Sequence, residues 1–148
     1  MDRDSVVHAI TCHLNLRELR HFAWSSKAIR RIVESYGDKQ ALLFYGFGAM
    51  IDEVELLNLA TGQMQPLPPL PLERCSPSIT VLGRNVFVCG GSDQSGRAVA
   101  QVDRLDTIAM RWVRAPPTST PRTLMVAGVL QDSLYLCGGA DCAGDVFT

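Results

Sequence analysis

The sequence has little of several features that would assign it to a specialised class of protein. It has no run approaching the roughly 20 apolar residues of a membrane-spanning helix, and charged residues interrupt the N-terminus where an apolar signal segment would lie. Its net charge of −1 argues against nucleic acid or an anionic membrane as a partner. An odd number of cysteines, five, and the lack of a glycosylation sequon favour a reducing compartment. We therefore expect a soluble, cytoplasmic chain.

Histidine is also scarce, and this argues against catalysis. All three histidines precede residue 22, so the later residues contain no histidine for a nucleophilic triad or a copper site. His8, Cys12 and His13 have helical spacing, but a structural zinc needs four ligands, and we interpret them as helix residues. The glycine-rich stretch 90–96 lacks the Gly-Lys-Ser/Thr ending of a phosphate-binding loop. The sequence therefore predicts no enzyme, no catalytic residues, no metal and no cofactor.

The sequence does have an internal repeat with a period of 48 residues. A shift by this period places Cys89-Gly90-Gly91 on Cys137-Gly138-Gly139, and it needs no gaps over a long stretch. Within one period, short apolar runs are separated by Gly, Pro, Asn and Asp turns, which predicts strands near 78–82, 86–89, 99–105 and 111–113. A four-stranded unit that recurs every 40 to 50 residues is typical of a β-propeller blade.

These residues resemble the Kelch repeat. The resemblance is carried by the strand that ends in Gly90-Gly91, by Leu105-Asp106 and Trp112, by the following Arg122, and by the second glycine pair, Gly138-Gly139. It implies a mainly β fold, namely an incomplete Kelch-type β-propeller of about two blades preceded by a short α-helical segment. It also implies that Trp112 packs between adjacent blades. The paired Gly-His and Trp-Asp signatures of WD repeats are missing at the expected places.

The repeat predicts three segments within residues 42–148. These are a partial blade over 42–70, a full blade over 74–117 and a partial blade over 122–148. A ring of four such blades needs roughly 190 residues, but the repeats here occupy about 105. We therefore expect a fragment or truncated product of a longer protein, the alternative being that a partner or a second copy supplies the missing blades.

Residues 1–40 are predicted to be helical, with three short helices in succession. The third predicted helix begins at Ser25 or Ser26, places Ile29, Ile32 and Val33 on one face, and ends at Gly37. The segment is slightly similar to the end of a BACK or F-box-like region, which would make the parent a BTB–BACK–Kelch or F-box–Kelch adaptor. We interpret the basic residues between 17 and 31 as a solvated helix face rather than a nucleic-acid surface.

The resemblance implies a protein–protein interaction module. The function we expect is substrate recognition for a cullin-type E3 ubiquitin ligase adaptor, with a ubiquitylation substrate bound here and the cullin complex bound through domains outside these residues. The alternative is an actin-binding, cytoskeletal scaffolding protein. Neither function involves nucleic acid or a membrane. The ligand-facing candidates are loop residues, namely Arg74, Asp93, Gln94, Arg97 and Arg122.

Overall fold

The structure is a computed structural model, and it describes residues 28–35, 40–46, 50–58, 61–141, 143 and 145–147. The chain divides into two compact units, Met1–Pro69 and Leu70–Thr148. Every regular element in the described part is a β-strand. In the first unit the strands are β1 (Ala28–Ser35), β2 (Gln40–Gly46), β3 (Met50–Ile51), β4 (Glu53–Asn58) and β5 (Met64–Pro66). In the second unit they are β6 (Arg74–Cys75), β7 (Ser78–Leu82), β8 (Asn85–Cys89), β9 (Val102–Asp106), β10 (Arg111–Ala115), β11 (Val126–Leu130) and β12 (Ser133–Cys137).

The first unit contains a four-stranded antiparallel sheet in the order β1-β2-β4-β5. Strands β2 and β4 pair so that Phe44 lies opposite Val54, and both side chains are buried. Leu42 is also buried, on the same face of β2 as Phe44, and Leu57 is buried near the end of β4. The sheet begins at Ala28, so the repeat that we predicted from residue 42 has a further strand before it.

The helix predicted after Ser25 is wrong in the part that the structure describes. Ala28–Ser35 is strand β1, which runs antiparallel to β2 with a register shift between Ile29 and Arg31. The spacing of Ile29, Ile32 and Val33 fits a helix face, but β-branched residues also favour strands. Backbone pairing with β2 decides between the two. The first two predicted helices lie outside the described residues.

The second unit is built on an antiparallel meander of β7, β8, β9 and β10. Val81, Val86 and Leu105 lie in register across the sheet, and all three side chains are buried. The strands predicted over 78–82, 86–89 and 111–113 are present as β7, β8 and β10, whereas the run predicted over 99–105 becomes a strand, β9, only from Val102. The turns between them contain the glycine and aspartate residues that such turns favour.

The hairpin of β11 and β12 repeats β7 and β8 after 48 residues. Cys89, Val102 and Met125 form a buried cluster, and Leu134 and Leu136 of the hairpin pack against it. The other side of the hairpin is open: Val126 is 71% exposed and Leu130 is 63% exposed. Among the described strands, only β11 pairs with β12.

Candidate protein-interaction loops

The glycine pair that ends β8 turns the chain away from the sheet. Gly90 and Gly91 have φ angles of 59° and 97°, in the left-handed region that glycine adopts at little cost. A Cβ atom on Gly91 would lie 2.7 Å from the carbonyl oxygen of Cys75, so this position has no room for a side chain. The N–H of Gly91 donates to the carbonyl oxygen of Arg122 at 2.9 Å. The turn is therefore bonded to the start of the next repeat.

Arg74 contacts this turn from the interior and has no exposed surface. Its guanidinium donates to the carbonyl oxygens of Gly90 at 3.3 Å, Gln101 at 2.9 Å and Leu72 at 3.1 Å. It also forms an ion pair with Asp103, which is buried as well. The structure thus places Arg74 in the core, where it holds the ends of β8 and β9 together, and not on a ligand-facing loop. A buried guanidinium needs this full set of acceptors.

Burial changes the acid–base properties of two groups here. It lowers the pKa of Arg74 to about 10, an effect that Cys89 opposes and Arg114 reinforces. The guanidinium therefore remains charged at neutral pH. Burial raises the pKa of the Cys89 thiol to about 11, and nearby Arg74 opposes that shift. A thiol that stays protonated is a poor nucleophile, and Cys89 packs in the buried cluster with Val102 and Met125.

The loop after the glycine pair is braced by Asp93. Its carboxylate accepts hydrogen bonds from the backbone N–H groups of Ser95 at 2.9 Å and Arg97 at 3.0 Å, and from the Ser95 hydroxyl at 2.6 Å. These bonds, with that hydroxyl as the largest cause, hold the pKa of Asp93 below its usual range. The bracing leaves the side chains of Gln94, Ser95 and Arg97 exposed at the loop tip. The Gln94 amide donates to the Glu73 carboxylate at 2.7 Å.

The second copy of the loop has the same bracing with a different tip. The Asp141 carboxylate accepts from the backbone N–H groups of Ala143 at 2.8 Å and Asp145 at 3.0 Å. These are the positions of Asp93, Ser95 and Arg97 shifted by 48 residues. The backbone is therefore repeated while the exposed side chain changes from a cation, Arg97, to an anion, Asp145.

Arg122 and Trp112 occupy less buried positions. The Arg122 guanidinium donates to the Gly138 carbonyl oxygen at 3.4 Å, which corresponds to the Arg74 bond to Gly90 one repeat earlier. It also lies 4.1 Å from the centre of the Phe147 ring, a cation–π contact. Trp112 is half-buried on β10, opposite Leu105 in the register. Its predicted packing between blades stays a prediction.

Asp103 is the residue that the sequence interpretation missed. It is the second residue of β9, and an acid in a strand suggests an exposed position. It is nevertheless only 1% exposed, and it also accepts a hydrogen bond from the Gln101 side-chain amide at 2.8 Å. The sequence held one signal, because Glu55 precedes Asp103 by one period. An acid repeated at the same strand position indicates a structural role.

Two other kinds of site are missing among the described residues. These residues contain no group of three or more His, Cys, Asp and Glu side chains that could hold a metal ion. They also contain no helix of the length and apolar character that crossing a membrane requires. The metal-ligand candidates His8, Cys12 and His13 lie outside the described residues.

The fold by itself indicates a class of protein. A four-stranded antiparallel meander recurs along the chain, and its loops repeat with the same hydrogen bonds, as in repeat proteins built from propeller-type blades. Comparison with known families then specifies the repeat, because the Kelch motif matches residues 73–119. Residues 73–119 therefore contain a Kelch motif.

Three Kelch-like proteins are similar to this chain. Kelch-like protein 13 of Mus musculus is 29% identical over 100 residues, which cover 65% of this chain and 15% of that protein. The proteins of the same name from Bos taurus and Homo sapiens are 28% identical over 100 residues, with the same coverage. The matched region thus spans 15% of the length of these relatives.

Proposed function

We propose that this chain is a protein-interaction module that recognises substrates for a cullin-type E3 ubiquitin ligase adaptor. The observation that carries the proposal is the pair of equivalent loops, 92–98 and 140–146. Each is held by an aspartate that accepts backbone hydrogen bonds, and each presents different exposed side chains. A backbone that its own hydrogen bonds hold, with side chains that differ between the copies, is suited to recognition, because such a loop loses less conformational entropy when a partner binds.

The chemistry of the buried network supports binding rather than catalysis. Arg74 uses its donors on three carbonyl oxygens and Asp103, and no buried side-chain nitrogen or oxygen in the described residues lacks a partner. Nothing in this network is held in the unsatisfied or activated state that catalytic groups usually show. Its role in the proposal is to fix the base of the loop that carries Gln94 and Arg97.

The cullin assignment rests on the family resemblance, and affinity purification of the full-length protein from cells tests it. We expect cullin subunits and a ubiquitylation substrate among the co-purified proteins. Substituting the loop tip, Gln94→Ala with Arg97→Ala, should reduce substrate recovery about tenfold while cullin recovery is unchanged, since a few exposed residues dominate most interfaces.

Arg84→Ala is the matched control for this experiment. Arg84 is an exposed arginine in the turn at the opposite end of β8. Its loss should therefore change neither the recovery of the substrate nor the recovery of cullin subunits. Purification without any cullin subunit would refute the ligase assignment. Co-sedimentation of the purified protein with actin filaments, in place of cullin recovery, would support the cytoskeletal alternative.

A further inference from the structure

Two of the eight prolines of the chain directly follow a residue with a hydroxyl group, in Ser76-Pro77 and Thr120-Pro121. A serine or threonine followed by proline is the minimal sequence on which proline-directed protein kinases act. Such a kinase needs the hydroxyl free to reach its catalytic aspartate and the γ-phosphate of ATP. It also needs the proline exposed, because its active site contacts that ring. The two dipeptides are equal in sequence, but their surroundings in the second unit differ.

The first dipeptide is held inside the fold between β6 and β7. Pro77 is buried, and Ser76 has a φ angle of 49°, which is in the left-handed region and not the extended one that a kinase groove accepts. The Ser76 hydroxyl oxygen lies 3.3 Å from the sulfur of Cys75. The Ser76 carbonyl oxygen accepts from the N–H of Leu124 at 3.4 Å. A kinase therefore reaches this serine only after local unfolding that breaks these contacts.

The second dipeptide lies at the surface between β10 and β11. Pro121 is exposed, Thr120 is half-buried, and the Thr120 hydroxyl takes part in no hydrogen bond within the described residues. Thr120 has a negative φ, and a residue that precedes proline favours the extended region. Its backbone contact is local, because its carbonyl oxygen accepts from the Thr118 hydroxyl at 2.9 Å. The hydroxyl and the proline ring are thus both available without unfolding of a strand.

We propose that Thr120 is a phosphorylation site for a proline-directed protein kinase. In this reaction the Thr120 hydroxyl oxygen attacks the γ-phosphorus of ATP bound to the kinase, and the bond between that phosphorus and ADP breaks. The hydroxyl proton passes to the catalytic aspartate of the kinase. Ser76, the other hydroxyl followed by proline, is not modified while the chain is folded.

The phosphate would add negative charge beside the loop that follows the glycine pair. Phosphothreonine carries a charge of about −1.5 to −2 at neutral pH. The N–H of Arg122 donates to the carbonyl oxygen of Val99 at 3.4 Å, which attaches the modified segment directly after loop 92–98. The exposed tip of that loop carries the cation Arg97. A partner that pairs an acidic group with Arg97 would then bind less tightly, a consequence that rests on the proposed function, whereas the modification itself does not.

Incubation of the purified full chain with ATP and a proline-directed kinase tests the proposal, with a cyclin-dependent kinase and a mitogen-activated protein kinase used separately. Mass spectrometry then measures the phosphate at each position. We expect phosphate on Thr120 and about tenfold less on Ser76, since the serine reacts only from a locally opened state. Pro121→Ala keeps the threonine hydroxyl but removes the ring that the kinase contacts. This change should slow phosphorylation of Thr120 about tenfold.

Ser119→Ala is the matched control. Ser119 is exposed and adjacent to Thr120, but no proline follows it, so its loss should leave phosphorylation of Thr120 unchanged. Phosphate on Ser76 equal to or above that on Thr120 would overturn the proposal. So would phosphorylation of Thr120 that does not depend on Pro121, or no phosphate on Thr120 from either kinase when each modifies a standard peptide. The reaction contains no cullin and no ubiquitylation substrate, so its failure is distinguishable from failure of the ligase assignment.

Discussion

Arg74 is a charged side chain without solvent exposure. Its hydrogen-bond acceptors and its counter-ion determine how much of the cost of burying that charge is offset. The carbonyl oxygens of Gly90 and Gln101 satisfy part of the guanidinium, and Asp103 neutralises its charge. Removal of one member of a buried ion pair leaves the other charge without compensation, which is far more costly than loss of an exposed pair. Arg74 therefore stabilises the fold, because its loss would leave Asp103 buried without a counter-charge. It also positions the loop, because it donates to the carbonyl oxygen of Gly90.

Arg74→Met should lower the free energy of unfolding by about 3 to 5 kcal/mol, because Asp103 loses its counter-charge in the interior. Arg122→Met is the control, since Arg122 is half-buried, and its loss removes one carbonyl hydrogen bond and the contact with Phe147. That change should cost about 1 kcal/mol. Urea unfolding followed by circular dichroism measures both.

The Arg74→Met chain is already destabilised, so a double variant provides a second measurement. Arg74→Met with Asp103→Leu removes both charges and should recover part of the lost stability, as apolar replacement of a buried pair often does. Equal costs for Arg74→Met and Arg122→Met, or no recovery in the double variant, would contradict the assignment of Arg74 and Asp103 as a buried pair.

At the scale of elements, the glycine turns connect the strands to the loops. Gly91 and its counterpart Gly139 both have positive φ, of 97° and 94°. A Cβ added to Gly91 would lie 2.7 Å from the carbonyl oxygen of Cys75, and a Cβ added to Gly139 would lie 2.6 Å from that of Thr123. These turns therefore need glycine for two reasons, the backbone conformation and the lack of space. Together they set the direction in which each braced loop leaves its sheet.

Gly91→Ala should destabilise the chain more than Gly96→Ala does. Both positions have positive φ, but a Cβ on Gly96 would meet nothing within 4 Å. Gly96→Ala should therefore cost only the conformational term of about 1 kcal/mol. Gly91→Ala adds a clash with backbone and should cost about 1 to 3 kcal/mol more. Thermal unfolding of the two variants compares them, and equal midpoints would show that space around Gly91 is not limiting.

At the scale of the whole molecule, much of the second unit was predictable because the repeat is regular there. The strands at β7, β8 and β10 and the glycine turns follow from local residue patterns with a period of 48 residues. Strand β1 was not predictable in the same way, because Ile29, Ile32 and Val33 fit helix and strand alike. The pairing with β2 that decides the conformation is a contact between segments.

The candidate site was predictable only where local chemistry defines it. Asp93 and Arg97 were expected on an exposed loop, and they lie there because the aspartate bonds backbone groups two and four residues ahead. The burial of Arg74 depends on Asp103, which is 29 residues away in sequence. No local pattern reveals that partner, although the acid repeated at Glu55 and Asp103 gave an indication.

The central claim is that residues 78–115 form one antiparallel blade whose register places the loops and the buried pair. Cross-strand nuclear Overhauser effects in the isotope-labelled chain test it most directly. The register of β8, β9 and β10 aligns Phe87 with Arg104 and Arg104 with Val113, so we predict contacts between the backbone protons of both pairs. Helical medium-range contacts over 85–106, or cross-strand contacts in a shifted register, would contradict the claim.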